Sequence, residues 1–242
     1  MLLPVEAFKH VPELVDAIVA PESSQLRMSH ATLEAWDAAA RAAGLSDNWR
    51  RTHVERDALR RASMAGWAGR DLWVFAYGAL MWDPGIHAVE IRRATLAGWH
   101  RRFCLAVEFF RGTPEQPWLC AGLDAGGDCE GLAFRIPGEA VERETDILWM
   151  REMVFPGYQP TILPVDTPQG AIDALAFVAD RHCHRYVNLD DTETVRIIAT
   201  AKGFIGPNRA YFDGLASKLQ ELGIADPYFD RLAVLLAERA DA

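Results

Sequence analysis

The chain has 242 residues, half of them apolar and 24% charged, and a formal net charge of −9. That length suffices for one full core, or for one domain with an extension. The acidic balance repels nucleic acid and anionic membranes overall, while leaving room for a local basic pocket that takes a small anion. From about residue 1 to 70 the chain is rich in Ala, Arg, Glu and Asp. Ser29 and Thr32 suit the cap of a helix over about 30–43, closed by Gly44, and a second helix is expected over about 51–65. The arginine pairs Arg50-Arg51 and Arg60-Arg61 read as solvated faces. This region is expected to be a helical extension, 1–70, packed on a main domain, 71–242, with its extreme N-terminus loose.

From Asp71 onward strands and helices mix. Leu72–Tyr77 reads as a buried strand, and Ile91–Leu96 and Phe103–Glu108 as strands either side of a Gly98-Trp99-His100 turn. Trp118–Leu123 and Glu130–Ile136 read as a pair joined through Asp124-Ala125-Gly126-Gly127-Asp128, a turn composition. A helix is expected over Glu139–Met153, strands over Gln159–Pro164 and Ala174–Ala179, and helices over Thr192–Lys202, Asn208–Gly223 and Pro227–Glu238. Strands come early and helices late, which is an α+β order and not a repeating βαβ one.

No apolar run approaches the ~20 residues that cross a bilayer, and the start, MLLPVEAFKH, lacks the basic and long apolar regions of a secretion signal. Cys104, Cys120, Cys129 and Cys183 show no CxxC spacing, so they read as reduced thiols of a cytoplasmic protein. His182 and His184 share a face if the segment is extended, but no third ligand stands at a usual spacing, so no metal is expected. No serine sits in GxSxG and no cysteine in a local nucleophile signature.

Three segments carry chemistry. In the 139–153 helix, Val141, Thr145, Leu148 and Glu152 share one face. Glu152 therefore continues an inward stripe into the last turn, where burial and the negative helix end both raise a carboxyl pKa. That suits general acid–base work. The same pattern also suits an ion pair with Arg151 or Arg102, or a solvent-facing helix end. In WVFAYGALMWDPG, the strand exits through Tyr77-Gly78-Ala79-Leu80, where glycine permits close backbone approach and free N–H groups attract carboxylate oxygens. A plain strand-to-turn exit fits it as well, and it is neither GxGxxG nor a Walker loop. Arg101-Arg102 and Arg111 are candidate forks for a carboxylate or ordinary surface arginines.

Taken in order, WVFAYGALMWDPG, GWHRRFCLAVEFFRGTPEQPW, EGLAFRIP, ILWMREMVFPGYQPT and AKGFIGPNRAYFDGLASKLQELG resemble the ChaC family, the glutathione-specific γ-glutamylcyclotransferases, over roughly Asp71–Leu236. The resemblance implies a small mixed β-barrel with flanking helices. It implies a lyase that cleaves glutathione to 5-oxoproline and cysteinylglycine with no metal or cofactor. Beside it, the charge, the apolar runs and the cysteines make a cytoplasmic protein with no nucleic-acid or membrane partner the expectation, and nothing in the sequence demands more than a monomer. The resemblance implies Glu152 as the catalytic residue. It places Val74, Phe75, Ala76, Tyr77, Gly78, Ala79, Leu80, Arg111 and Tyr158 in substrate binding. Where the family usually has Gly-Tyr-Gly-Ser-Leu, this chain reads Ala76-Tyr77-Gly78-Ala79-Leu80. A lost serine hydroxyl is worth ~0.5–1.5 kcal/mol if it bonded substrate. The departure leaves two further readings, a cyclotransferase for another γ-glutamyl donor and a non-catalytic binder of γ-glutamyl compounds.

Overall fold

The computed structural model describes residues 3–240. At the centre lies β1 (Leu72–Ala76), buried on both faces, which explains its unbroken apolar run. It pairs antiparallel with β3 (Trp118–Ile136) on one side and parallel with β5 (Ile172–Ala179) on the other. β2 (Glu90–Val107) flanks β3, and β4 (Tyr158–Val165) flanks β5, giving the order β2-β3-β1-β5-β4. Pro160 and Pro164 of β4 lack the N–H that a second neighbour would need, so β4 belongs at the edge.

The two expected turns at 98–100 and 124–128 are not chain reversals. β2 and β3 run through them as one long antiparallel ribbon, with Ala97 opposite Asp128 and Trp99 opposite Ala125. Gly98 thus faces Gly126 and Gly127, and all three adopt left-handed φ (79°, 113° and 68°). The glycines that signal a turn here supply a bulge, which bends the ribbon without ending it. Because of the bend, β3 meets β1 along Leu132–Ile136 but meets β5 directly at Leu123–Val178. The sheet therefore curls into a half-barrel, and a Thr95–Asp166 bridge ties β2 to the far end of β4.

Helix α3 (Val141–Glu152) packs on β5, where Trp149 meets Phe177 edge-on at 5.3 Å. Helices α4 (Asp191–Thr200), α5 (Asn208–Glu221) and α6 (Pro227–Ala240) cover the ribbon, with Phe212 and Phe229 stacked over Phe103. Two short strands, β6 (Lys202–Gly203) and β7 (Gly206–Pro207), form a small hairpin before α5.

Helix α1 (His30–Ala42) starts at Ser29, which accepts from Thr32 N–H, and α2 (His53–Ser63) starts at a Thr52/Glu55 capping box. Ahead of them, Ala7, Phe8, Val11 and Leu14 are buried. The chain is thus anchored at Leu3 and from Ala7 on; the extreme N-terminus expected to be loose, residues 1–2, lies outside the described residues.

The arginine pairs are not solvated faces either. Arg60 is 5% exposed and joins α2 to α3 through Glu142 (2.6 Å) and Thr145 (3.3 Å). Arg51 donates to Phe155 O at 2.7 Å, and Arg50 forks onto Asp37 at 2.7 and 2.6 Å. Arg60 meets α3, Arg51 the segment after it and Arg50 the α1 helix of the extension itself, so their heads found protein acceptors in place of water; Arg61 alone of the four is exposed.

The most deeply buried such bond to a carboxylate is Arg27 to Glu144, which has no exposed surface. Arg27 Nη1 and Nη2 donate at 2.7 and 3.2 Å, and His87 N–H and Arg143 Nε add to them. Burial pushes the Glu144 carboxyl up, but these donors outweigh it and hold it below its ordinary range. Arg27→Met is expected to cost up to about 3–5 kcal/mol, the range for a buried pair that loses one member, because it leaves the carboxylate only the His87 N–H and the exposed Arg143 as donors. A carboxyl held low contributes stability above its unfolded value, near ~4.3, and loses it as pH falls through the folded value. The deficit of the variant is therefore expected to be full at pH 7 and to shrink only below pH ~4.3, as pH falls through the folded value, as read from urea midpoints.

Candidate active site

At the exit of β1 the chain turns through Gly78 into a single 3-10 turn, Ala79–Met81. Gly78 has φ −132°, outside the left-handed region, so the glycine is not needed for an unusual φ. A Cβ there would meet nothing within 4 Å. What Gly78 provides is open space over the backbone. The N–H groups of Ala79 and Leu80 open the 3-10 turn and so have no carbonyl partner within it. The turn borders a cavity of about 230 Å³ lined also by Glu152, Arg151, Tyr158, Cys120, Tyr211 and Phe177.

Glu152 ends α3 on the face expected, with Val141, Thr145 and Leu148 of the same stripe buried. Its side chain is 17% exposed. Burial pushes its carboxyl above the ordinary range, and Arg151, with Nε 3.0 Å from Oε1, offsets only part of that. Arg151 is itself held from behind, since its Nη1 donates to Asp83 O at 2.6 Å. The ion pair that the sequence allows thus exists, and it lies in the cavity wall.

Two tyrosines complete the polar surface. Tyr158 OH donates to Ala121 O at 2.7 Å and Tyr77 OH to Phe177 O at 2.8 Å. Burial raises both phenols far above their ordinary value. Both stay neutral, and with their protons given to main-chain carbonyls their oxygens remain available as acceptors. Cys120 Sγ lies 3.6 Å from Tyr158 OH and 3.8 Å from Tyr211 OH, and burial raises this thiol too.

The structure brings Tyr77, Gly78, Ala79, Leu80, Glu152 and Tyr158 together around this cavity. Val74, Phe75 and Ala76 are buried inside β1 and do not line it. Arg111 does not line it either; its Nη1 donates to Pro207 O at 3.0 Å. Arg101 and Arg102 are structural, bonded to Tyr77 O and Asp226 and to Leu189 O and Asp124 respectively. His182 and His184 are exposed in the turn after β5. The sequence reading did not single out Trp118, Cys120 and Tyr211. A signal existed for the first two, since residues i and i+2 of a strand share a face.

A family model described as ChaC-like protein matches residues 72–239. The chain belongs to the ChaC-like family. Among curated relatives, the glutathione-specific γ-glutamylcyclotransferase of Escherichia coli K12 is 38% identical over 173 residues, covering 69% of this chain and 75% of the relative. The human glutathione-specific γ-glutamylcyclotransferase 1 is 33% identical, covering 63% and 71%. A crystal structure of a γ-glutamyl cyclotransferase specific to glutathione from yeast superposes with a TM-score of 0.63 at 20% identity, over 69% of this chain and 96% of that one. That likeness establishes the fold: a γ-glutamyl cyclotransferase fold with a curled sheet and flanking helices. Among the described residues no helix is long and apolar enough to cross a membrane.

Proposed function

We propose that this ChaC-like protein cleaves glutathione into 5-oxoproline and cysteinylglycine, with Glu152 as general acid and base. The observation that carries the reading is a carboxyl raised by burial in a cavity that it shares with the Tyr77–Leu80 turn. The substrate brings its own nucleophile. Its α-amine attacks its γ-carbonyl, a C–N bond forms to close a five-membered lactam, and the C–N bond to cysteine breaks. No water is consumed, so the two products together contain all the atoms of the substrate. The protein must fold the γ-glutamyl chain into the attacking shape, which is a proximity effect. It must also move one proton from the α-ammonium to the leaving amine, and a carboxyl whose pKa burial raises does both in turn.

In this reading the N–H groups of Ala79 and Leu80 take the glutamyl carboxylate or the developing oxyanion. The phenolic oxygens of Tyr77 and Tyr158 accept from the substrate ammonium. Arg111 contributes from outside the cavity, through the loop at Pro207 that precedes Tyr211. The protein acts in the cytoplasm as a monomer without a cofactor, as a 71–242 domain carrying a 1–70 extension. Ala79 in the cavity wall favours, as a second reading, another γ-glutamyl donor that needs no hydroxyl at that point.

The test is incubation of the purified chain with millimolar glutathione and no added metal, with products followed by mass spectrometry and Glu152→Gln alongside. Both products are expected, and only from the parent. A folded parent that yields none overturns the assignment to glutathione and turns attention to γ-glutamyl amino acids and amines.

A further inference from the structure

The stretch Val19–Arg27, outside the residues that the family model matches, runs along the loop that follows the Tyr77–Leu80 turn. Val19 N–H donates to Trp82 O at 2.7 Å. Ser24 Oγ donates to the Asp83 carboxylate and accepts from Leu26 N–H at 3.0 Å. Arg27 Nη1 donates to Gly85 O at 2.7 Å. The two backbones touch: Gly85 has φ +63°, and a Cβ there would lie 3.0 Å from Leu26 O and 3.1 Å from Arg27 N. Only glycine allows this approach. The result is that Leu26 enters the lining of the same cavity as Glu152. Arg151 also donates to Asp83 O while pairing with Glu152. Loop 83–85 is thus held by both the extension and the helix end that carries the carboxyl.

A second element of the extension reaches the same cavity. Phe110 lines it with φ +69°, a conformation that a bulky residue holds only when its surroundings enforce it. Trp36 of α1 packs edge-on against that ring at 4.9 Å, and Trp49 at 6.2 Å. The extension therefore backs one wall of the cavity at Phe110 and supplies another directly at Leu26.

We propose that Leu26 is a specificity-determining residue of this site, and that Ser24 is the positioning residue that sets it. The proposal rests on the function argued above. Glu152 and the Tyr77–Leu80 turn engage the reacting γ-glutamyl end, which every γ-glutamyl donor shares. Donors differ in the amine that they release, and an apolar branched side chain in the wall discriminates among those by volume. It offers no hydrogen bond that would reward one polar group over another. Removing or adding a few methylenes in such a wall changes selectivity by about 10-fold or more.

The experiment uses the full chain. kcat and KM are measured for glutathione, S-methylglutathione and γ-glutamylalanine with the parent, Leu26→Ala, Leu26→Trp and Ser24→Ala, together with thermal midpoints. The expected result is that Leu26→Ala and Leu26→Trp move the ratio of kcat/KM for S-methylglutathione over γ-glutamylalanine in opposite directions, each by about 10-fold. Leu26→Ala is expected to keep a near-parental midpoint, because the side chain is only half-buried. Ser24→Ala is expected to raise KM for glutathione and to speed amide exchange over residues 78–85. A parent that is active, with ratios unchanged in both Leu26 variants, overturns the specificity role and leaves the function standing. A parent inactive on all three donors overturns the function and the specificity role together. Unchanged KM and exchange in Ser24→Ala overturns the positioning role.

Discussion

Glu152→Gln is expected to lower glutathione turnover by about 10²–10⁴-fold, the usual worth of a positioned acid–base group, without weakening the fold at neutral pH. Gln keeps the size and the hydrogen-bonding oxygen but carries no exchangeable acid proton. Arg151 keeps its bonds to Asp83 O and Pro84 O, so the wall behind the residue survives. The stability side has a definite sign. Burial raises the folded carboxyl above its unfolded value, so folding favours the protonated form. The wild-type side chain carries no penalty below the unfolded value, near ~4.3, and a growing penalty as pH rises through the folded value. Glu152→Gln is therefore expected to melt no lower than the parent at pH 7, with the difference closing toward pH 4. The acid limb of parental kcat/KM is expected to lie above the ordinary glutamate range, because the base must be ionised to begin. A variant that turns over at the parental rate removes Glu152 from the chemistry. A variant that keeps its fold yet melts well below the parent at pH 7 contradicts the burial argument.

How far the sequence anticipates the molecule depends on whether one neighbour or many set each feature. β1 shows as an apolar run because both of its faces are covered, and α3 shows its inward stripe because helix periodicity places Val141, Thr145, Leu148 and Glu152 in line. Both signals are local, and with them the α+β class and the inward aim of Glu152 are legible. The β2–β3 ribbon is not. Its glycine cluster is a local signal for reversal, and only the continuing ladder beyond it reveals a bulge. The buried arginines are misread for the same reason. Arg60 reads as a solvated face and Arg101 as a carboxylate fork or a surface charge, and their carboxylate partners Glu142 and Asp226 lie 82 and 125 residues away in sequence. The cavity is half legible. The Tyr77–Leu80 turn and Glu152 come from readable motifs, whereas Leu26, Phe110 and Tyr211 reach it only through tertiary packing.

Arg101→Met is expected to cost about 3–5 kcal/mol, the range found when a buried pair loses one member. Against a typical total of about 5–15 kcal/mol, that is a large share of the fold's stability. The side chain is 1% exposed and serves three acceptors at once. Nε donates to Tyr77 O, Nη2 donates to Glu130 O at 2.7 Å, and Nη1 pairs with Asp226. Asp226 stands immediately before Pro227, and its Oδ1 accepts from Tyr228 and Phe229 N–H, so it caps α6. One guanidinium thus ties the exit of β1, the middle of β3 and the start of α6 into a single arrangement. Methionine fills the volume but takes the guanidinium from Tyr77 O, Glu130 O and Asp226 Oδ2. A substrate-binding arginine would behave differently: its removal raises KM and leaves the urea midpoint where it was. Arg101→Lys separates charge from shape. Lysine restores a cation for Asp226 but not the planar fork that reaches three acceptors, so it is expected to recover part of the stability. Because Tyr77 O then lacks its anchor one residue before Gly78, Arg101→Lys is also expected to lower kcat even at temperatures where it stays folded. Parental stability in Arg101→Met would mean that the bonds to Tyr77 and Asp226 do not hold the turn.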